Sequence, residues 1–276
     1  MCGAGPARLL ARGRTDHSKY SLARCRACGQ HFCAPTPTLA EIAGFYQGDY
    51  HAELRAPGAT EKEFGAKFAR YRDSVLQFVK SGRSLDIGTA TGLFPSLLKQ
   101  AGFEAEGIEF NPESARWGQQ HYGVTIRTCA LGKGGEARES YDLISMTDVL
   151  EHTEHPLRFL QGVRDYLKPG GFMLITFPDI TSPESTYLRF WSRVLQRDWI
   201  WSCCHIPLHV WEFTAPTARV MFHKAGFDVA GLRRSQEPPA DASGISSLLR
   251  LPLRLLNIPI VARLAGTQME FVIRKR

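Results

Sequence analysis

Two periodicities take turns along most of this chain: short apolar runs of strand length, and longer stretches in which apolar residues recur at helical spacing. The run ending Leu85-Asp86-Ile87 meets a glycine-bearing turn, and Leu93 to Ala101 then reads as a helix closed by Gly102. Glu104 to Glu109 predicts a second strand. Asn111 as N-cap and Pro112 at the first helical position open a helix to His121. Val124 to Arg127, Tyr141 to Met146 and Phe172 to Phe177 predict three more strands, the last preceded by a turn at Leu167 to Gly171. Farther on, Thr214 to Ala225 reads as a helix ended by Gly226, followed by strands at Asp228 to Arg234 and Met269 to Arg274. Ahead of them all, Glu61 to Lys80 places Phe64, Phe68, Tyr71, Val75 and Phe78 at near-helical spacing. Such a helix would pack on the sheet and cover its crevice, with core packing expected for all five and Tyr71 able to reach a ligand there.

Strands alternating with helices predict a doubly wound, Rossmann-like sheet, in which ligands bind at the carboxyl ends of the strands. The first turn, Asp86-Ile87-Gly88-Thr89-Ala90-Thr91-Gly92, carries the chemistry. Glycine lets a cofactor approach bare backbone. A pyrophosphate-binding turn would show G-x-G-x-x-G and leave a helix N-terminus open to anionic oxygens. The spacing here is D-x-G-x-x-x-G, and the carboxylate of Asp86 suits a ligand bearing an ammonium and a sulfonium. Glu109 ends the second strand, where a carboxylate can accept both hydroxyl hydrogens of an adenosine ribose.

The segments LDIGTATG, GIEFNPE, YDLISMTDVLEH and LKPGGFMLITFPD, in this order, resemble the successive motifs of class I S-adenosylmethionine-dependent methyltransferases over roughly residues 83 to 180. The resemblance implies a seven-stranded sheet whose last strand runs antiparallel. It also implies a cofactor site made by Asp86, Gly88, Ala90, Gly92 and Glu109, with Asp148 near the methionine or acceptor side and Cys129-Ala130-Leu131 where the adenine would lie. Family members usually carry D-x-G-C-G-x-G. Thr89-Ala90 stands in the middle here, and Ala90 adds a methyl group where backbone meets cofactor.

Residues 1–45 differ from the rest and are expected to form a small cap. Cys25-Arg26-Ala27-Cys28-Gly29 is a C-x-x-C-G knuckle, able to bring two thiolates to one zinc ion. Its only upstream counterpart is Cys2-Gly3, whose partner cysteine would fall before Met1. The pattern resembles the N-terminal zinc ribbon of some methyltransferases of this class, followed by P-x-P (Pro35-Thr36-Pro37) and a Tyr-rich segment from Phe45 to His51. Two readings stay open: a zinc site completed by Cys2 and residues upstream, or a decayed ribbon whose Cys25 and Cys28 are relics. Completion by His17, His31 or Cys33 has no geometric support in the sequence.

The methyltransferase domain is expected over 46–276, with an insertion over 181–213 forming the acceptor wall. The insertion is dense in aromatics: Tyr187, Phe190, Trp191, Trp199, Trp201 and Trp211. Their faces suit a sugar, a base or an aromatic acceptor, and equally the core of a cap. Residues 243–264, rich in leucine, proline and arginine, read as a lid or interface segment or as a basic surface for peripheral membrane contact; Pro252 and Pro259 favour the former.

For a hydroxyl acceptor a base is needed, and histidine titrates in the right range. His152 follows Glu151 after the fourth strand, at the family's E-H position, and His209 precedes Phe213-Thr214 as in the family's H-x-x-x-F-T element. Each is a candidate base, with a structural role for His152 the competing reading; His205 ranks below them and His155 is expected at the surface.

Composition changes this picture little. With 276 residues, 43% of them hydrophobic and 22% charged, the chain can bury a large core. The net charge of +7 fits a solvated basic surface. Seven cysteines and the absence of a signal-peptide or membrane-spanning run point to a reducing, cytoplasmic setting. The expected acceptor is a small molecule, first a hydroxyl of a sugar, quinone-like or natural-product skeleton. Alternatives are a non-catalytic module of the same fold, motivated by Thr89-Ala90 and by the incomplete ribbon, and a protein or nucleic-acid methyltransferase. No N/D-P-P-Y/F tetrad follows the fourth strand, so no nucleic-acid partner is expected. An NAD-dependent oxidoreductase is disfavoured by the missing third glycine and by Asp86.

Overall fold

The computed structural model describes residues 6–13, 19–45, 52–196, 206–236 and 258–276. Two sheets organise the chain. The smaller begins with β1 (Ala7–Arg12), β2 (Ser21–Cys25) and β3 (His31–Ala34), an antiparallel meander. A short helix α1 (Leu39–Phe45) leads out of it, and α2 (Ala59–Val75) follows.

The larger sheet then alternates as the sequence predicts: β4 (Gly82–Ile87), α3 (Leu93–Gln100), β5 (Phe103–Ile108), α4 (Pro112–Tyr122), β6 (Thr125–Arg127), β7 (Tyr141–Thr147), α5 (Pro156–Arg164) and β8 (Leu167–Pro178). After β8 come α6 (Pro183–Leu195), a two-residue strand β9 (Trp211–Glu212), α7 (Ala215–Ala225), β10 (Phe227–Ser235), α8 (Pro259–Ala265) and β11 (Gln268–Lys275). The spatial order is β10-β11-β8-β7-β4-β5-β6, with β4 to β8 parallel and β11 antiparallel to both its neighbours. The seven-stranded mixed sheet expected from the motifs is therefore present. β4 sits between β5 and β7, so the chain reverses direction across the sheet at the crevice that opens beside its carboxyl end.

Alternation along each strand divides the core. Leu143, Leu174 and Val272 face Tyr71, Val75, Phe94 and Leu98 of α2 and α3. Their neighbours Ile144, Met173, Ile175, Phe271 and Ile273 face Leu160, Val163, Met221 and Phe222 of α5 and α7. Each such side chain, removed from water, contributes about 1.5–3 kcal/mol. Tyr71 is fully buried edge-on against Phe94, with centroids 6.4 Å apart, and so belongs to the core. Burial on both sheet faces explains why these strands read as continuous apolar runs.

Several boundaries move. The helix expected to reach Lys80 ends at Val75, beyond which Phe78 and Val79 still pack on the same core. The turn expected at Leu167 to Gly171 lies inside β8. Tyr141 pairs with Leu167 and Leu143 with Phe172, a register irregularity that absorbs Lys168 to Gly171 while the strand continues.

The N-terminal meander does not close on itself. Its fourth strand is β9, from the far end of the insertion: His31 pairs with Glu212 and Phe32 with Trp211. Tyr20, Leu22, Cys33, Ile180 and Ile206 make a small core that joins the meander to the insertion.

Candidate active site

The first turn is built as its glycines require. Gly88 and Gly92 take φ of +74° and +83°, and a Cβ on Gly88 would approach Val149 to 2.6 Å. Ala90 also has positive φ, 49°, a left-handed conformation that strains a residue with a Cβ. Its N–H donates to Glu109 Oε2 at 2.7 Å, while Asn111 N–H donates to Glu109 Oε1 at 2.9 Å. Two backbone donors thus hold the Glu109 carboxylate at the end of β5, and each oxygen keeps a further acceptor position. Beside it, the ring of Phe110 is 75% exposed, an apolar face at the crevice rim.

Asp86 lies deeper, at the end of β4, and accepts from Ser145 Oγ at 2.6 Å. Burial pushes its carboxyl up to about 7. Asp148, just past β7, has φ of 57° and an ion pair at 2.9 Å with Lys67 of α2. Thr176 Oγ1 donates to Asp148 Oδ1 at 3.1 Å, and Gln268 Nε2 donates to the same oxygen. Burial opposes the charge on Asp148, but the Lys67 ammonium and these donors outweigh it and hold the carboxyl below its usual range. Nearby, Arg70 pairs with buried Glu270 at 2.7 Å and donates to Ser235 Oγ at 2.9 Å, which fastens α2 across β10 and β11.

A second cluster is assembled from two segments distant in sequence. A single 3-10 turn, Leu150–His152, follows β7. Val210 N–H donates to Glu151 O at 2.9 Å, and Trp211 Nε1 donates to Thr153 O at 2.8 Å. His152 Nδ1 lies 3.0 Å from Leu208 O. A carbonyl only accepts, so Nδ1 of the neutral ring carries the proton and Nε2 is its acceptor nitrogen. The His152 and His209 rings meet edge to face, centroids 4.7 Å apart at 79°. The two predicted histidines are therefore brought together.

Two carboxyl groups complete the cluster, and neither received a role from sequence. Glu212 Oε1 lies 3.3 Å from His209 Nδ1, with both side chains buried. Burial pushes Glu212 well up and His209 down to about 4, each toward its uncharged form. Glu151 is buried too, and both its carboxyl oxygens are without a hydrogen-bond partner. Burial, then the charge of Asp148, pushes it well above the usual carboxylate range. Glu151, His152 and His209 each offer one ligand atom within 4.8 Å of the others, a spacing one divalent cation could bridge. Lys67 belongs to no recognised spacing; Glu151 lies in the E-H pair and Glu212 inside the H-x-x-x-F-T element, three residues after His209, at positions given no role there.

The remaining candidates lie elsewhere. Cys25 ends β2, buried, and Cys28 is exposed in the following turn; Cys2 and His17 fall outside the described residues. Cys33 is buried in the small core, where burial pushes its thiol up to about 12, and burial brings His31 down to about 4. Among the described residues, no cysteine joins a group of three ligands close enough to share an ion. His155 is exposed before α5. The Tyr46 to His51 segment, Trp199, Trp201, His205 and residues 243–257 lie outside the described residues. Among the described residues, no helix is long and apolar enough to cross a membrane.

A glycine turn after the central strand, a carboxylate at the end of the next and a histidine cluster past the fourth define a doubly wound enzyme of the kind that works on a nucleoside-type cofactor. The chain belongs to the S-adenosylmethionine-dependent methyltransferases: a methyltransferase-domain family model matches residues 61–231. A ubiquinone biosynthesis O-methyltransferase of Cereibacter sphaeroides is 29% identical over 174 residues, 60% of this chain and 68% of that protein. Among solved structures, a SAM-dependent methyltransferase of Archaeoglobus fulgidus superposes with a TM-score of 0.56 at 19% identity, covering 82% of this chain and all of that one. The 1,6-didemethyltoxoflavin-N1-methyltransferase of Burkholderia thailandensis, solved with S-adenosylhomocysteine, gives 0.53 at 16% identity over 96% of this chain and 99% of its own. These structural likenesses show the fold.

Proposed function

We propose that this methyltransferase acts on a hydroxyl group of a small molecule, with His152 as the base that removes the hydroxyl proton. The observation that carries this reading is the hydrogen bond from His152 Nδ1 to Leu208 O, which puts the proton of the neutral ring on Nδ1 and its lone pair on Nε2. The O-methyltransferase relative supports an oxygen acceptor.

The residues present fit S-adenosylmethionine. Glu109 keeps acceptor positions for ribose hydroxyls, Phe110 offers its exposed ring to a base, and the Gly88 to Gly92 turn brings bare backbone to the crevice. Asp148, held below its usual carboxylate range by Lys67, is suited to the methionine end. When bound, the cofactor supplies a methyl group already activated on a sulfonium. The protein's tasks are then to orient the acceptor in line, exclude water and take one proton, and α2 with its Lys67 and Arg70 contacts closes one side of the crevice.

The test begins with calorimetric titration of the purified chain with S-adenosylmethionine and S-adenosylhomocysteine, followed by methyl transfer to hydroxylated sugars and quinone-like phenols. Saturable binding and transfer to an oxygen are expected, and His152→Ala should lower kcat roughly 10²- to 10⁴-fold with donor affinity kept. A folded chain that binds neither compound, or a His152→Ala variant with undiminished kcat, would overturn the reading.

A further inference from the structure

The structure assigns Glu212 as a positioning residue: its carboxyl holds His209, and His209 in turn fixes the ring of His152. The inference rests on the proposed role of His152 and deepens it.

Three observations carry it. Glu212 is 1% exposed and His209 6%, so their contact is shielded from water. The Glu212 carboxyl retains an accepting oxygen whether or not it is protonated, so at 3.3 Å it can take the Nδ1–H of a neutral His209 in either state. His209 then presents its ring to His152 edge to face, 4.7 Å between centroids, and thereby limits the rotation of His152 about the bond that leads to its ring.

The backbone of Glu212 is fixed from the opposite side. Gln30 Nε2 donates to Glu212 O at 2.8 Å and to His31 O at 2.9 Å, and Cys33 N–H donates to Val210 O at 2.9 Å. The N-terminal meander therefore sets where β9 lies, β9 sets Glu212, and Glu212 sets the two rings. A buried carboxyl on a two-residue strand that pairs with another part of the chain is otherwise a costly place for an acid: burying a polar group without compensation costs several kcal/mol. Orientation of the imidazole is the role that its geometry gives it, comparable to the outer groups that orient imidazoles at other sites.

The experiment uses the full chain labelled with 15N-histidine and reads the ring nitrogens of His152 and His209 by long-range 1H–15N correlation. In the wild type and in Glu212→Gln, which keeps a side-chain oxygen at the same reach, His152 is expected as a single Nδ1–H tautomer. In Glu212→Leu, which fills the space without an acceptor, His209 should show mixed tautomers and the His152 ring-nitrogen signals should shift and broaden as its ring loses that restraint. With hydroquinone as probe acceptor, Glu212→Leu should lower kcat roughly tenfold while KM and donor affinity move less than twofold. Glu212→Gln should restore it. In a His152→Ala background the leucine substitution should cost nothing further in kcat. Unchanged His152 signals in a folded Glu212→Leu chain would overturn the assignment and leave Glu212 a packing residue, visible only as a lower Tm. An undiminished kcat in His152→Ala would instead remove the base, and the ring-nitrogen spectra would still decide what positions His152.

Discussion

The proposed cofactor side and the proposed acceptor side of the crevice are built on opposite plans. Around Gly88, Asp86 and Glu109, each polar group is held by elements adjacent in the sheet: Ala90 and Asn111 for Glu109, Ser145 for Asp86. Around His152 and His209 the groups come from a loop past β7 and a two-residue strand whose partner lies in the N-terminal meander. One side is fixed by a regular sheet. The other is fixed by a few long-range hydrogen bonds, and so its geometry can vary without disturbing the cofactor site.

The largest expected consequence lies on the cofactor side and sharpens the contrast. Asp86 is raised to about 7, above its value of 3.8 in an unfolded chain, so the native protein holds a proton that the unfolded chain has lost. Its contribution to stability is present below about pH 4 and is lost as pH rises toward 7. A cationic ligand favours the ionised carboxylate. Affinity for S-adenosylmethionine should therefore strengthen up to roughly tenfold per pH unit below about 7 and level off above it. Calorimetry across pH 5.5 to 8, a range of about two and a half units spanning that value, checks this; Asp86→Asn should abolish the slope, and a flat wild-type profile would break the link.

The next prediction tests the acceptor side alone. Gln30→Ala removes donors to two carbonyls in a buried strand pair, each loss costing about 1–3 kcal/mol. Tm should fall and methyl transfer weaken, with S-adenosylhomocysteine affinity within about twofold of wild type. Loss of cofactor affinity in step with turnover would show that the two sides are not independent.

The smallest effect is a gain. Ala90→Gly relieves a left-handed backbone and should stabilise the chain by about 1 kcal/mol, after the extra freedom glycine brings to the unfolded state. Chemical denaturation with an unchanged m value is the check.

The regular side was legible in the sequence and the other was not, for physical reasons. A parallel strand buried on both faces must be apolar throughout, and a left-handed turn such as Gly88 must dispense with a Cβ, so both leave local marks. Asp86, Glu109 and Asp148 could be placed because they end such strands. Glu212 could not, since two residues carry no periodicity and the pairing of His31 with Glu212 is a property of the folded chain alone. The turn expected at Lys168 to Gly171 was read from Pro169 and Gly170-Gly171, and the structure takes those residues up as an irregularity between β7 and β8. Cys25-x-x-Cys28 shows the converse: a spacing with a clear local meaning, whose described surroundings bring no third ligand near.

The pairing of β3 with β9 also has a consequence for how the chain assembles. Gln30 and Glu212 are 182 residues apart, so during synthesis β1 to β3 emerge as a meander with one open edge long before their last strand exists. An unpaired edge is a template for the wrong neighbour, and contacts this remote form slowly because the intervening loop must close first. Folding of this enzyme therefore has a built-in late step: His209 and β9 take their places only when a segment 182 residues downstream returns to the N-terminal meander.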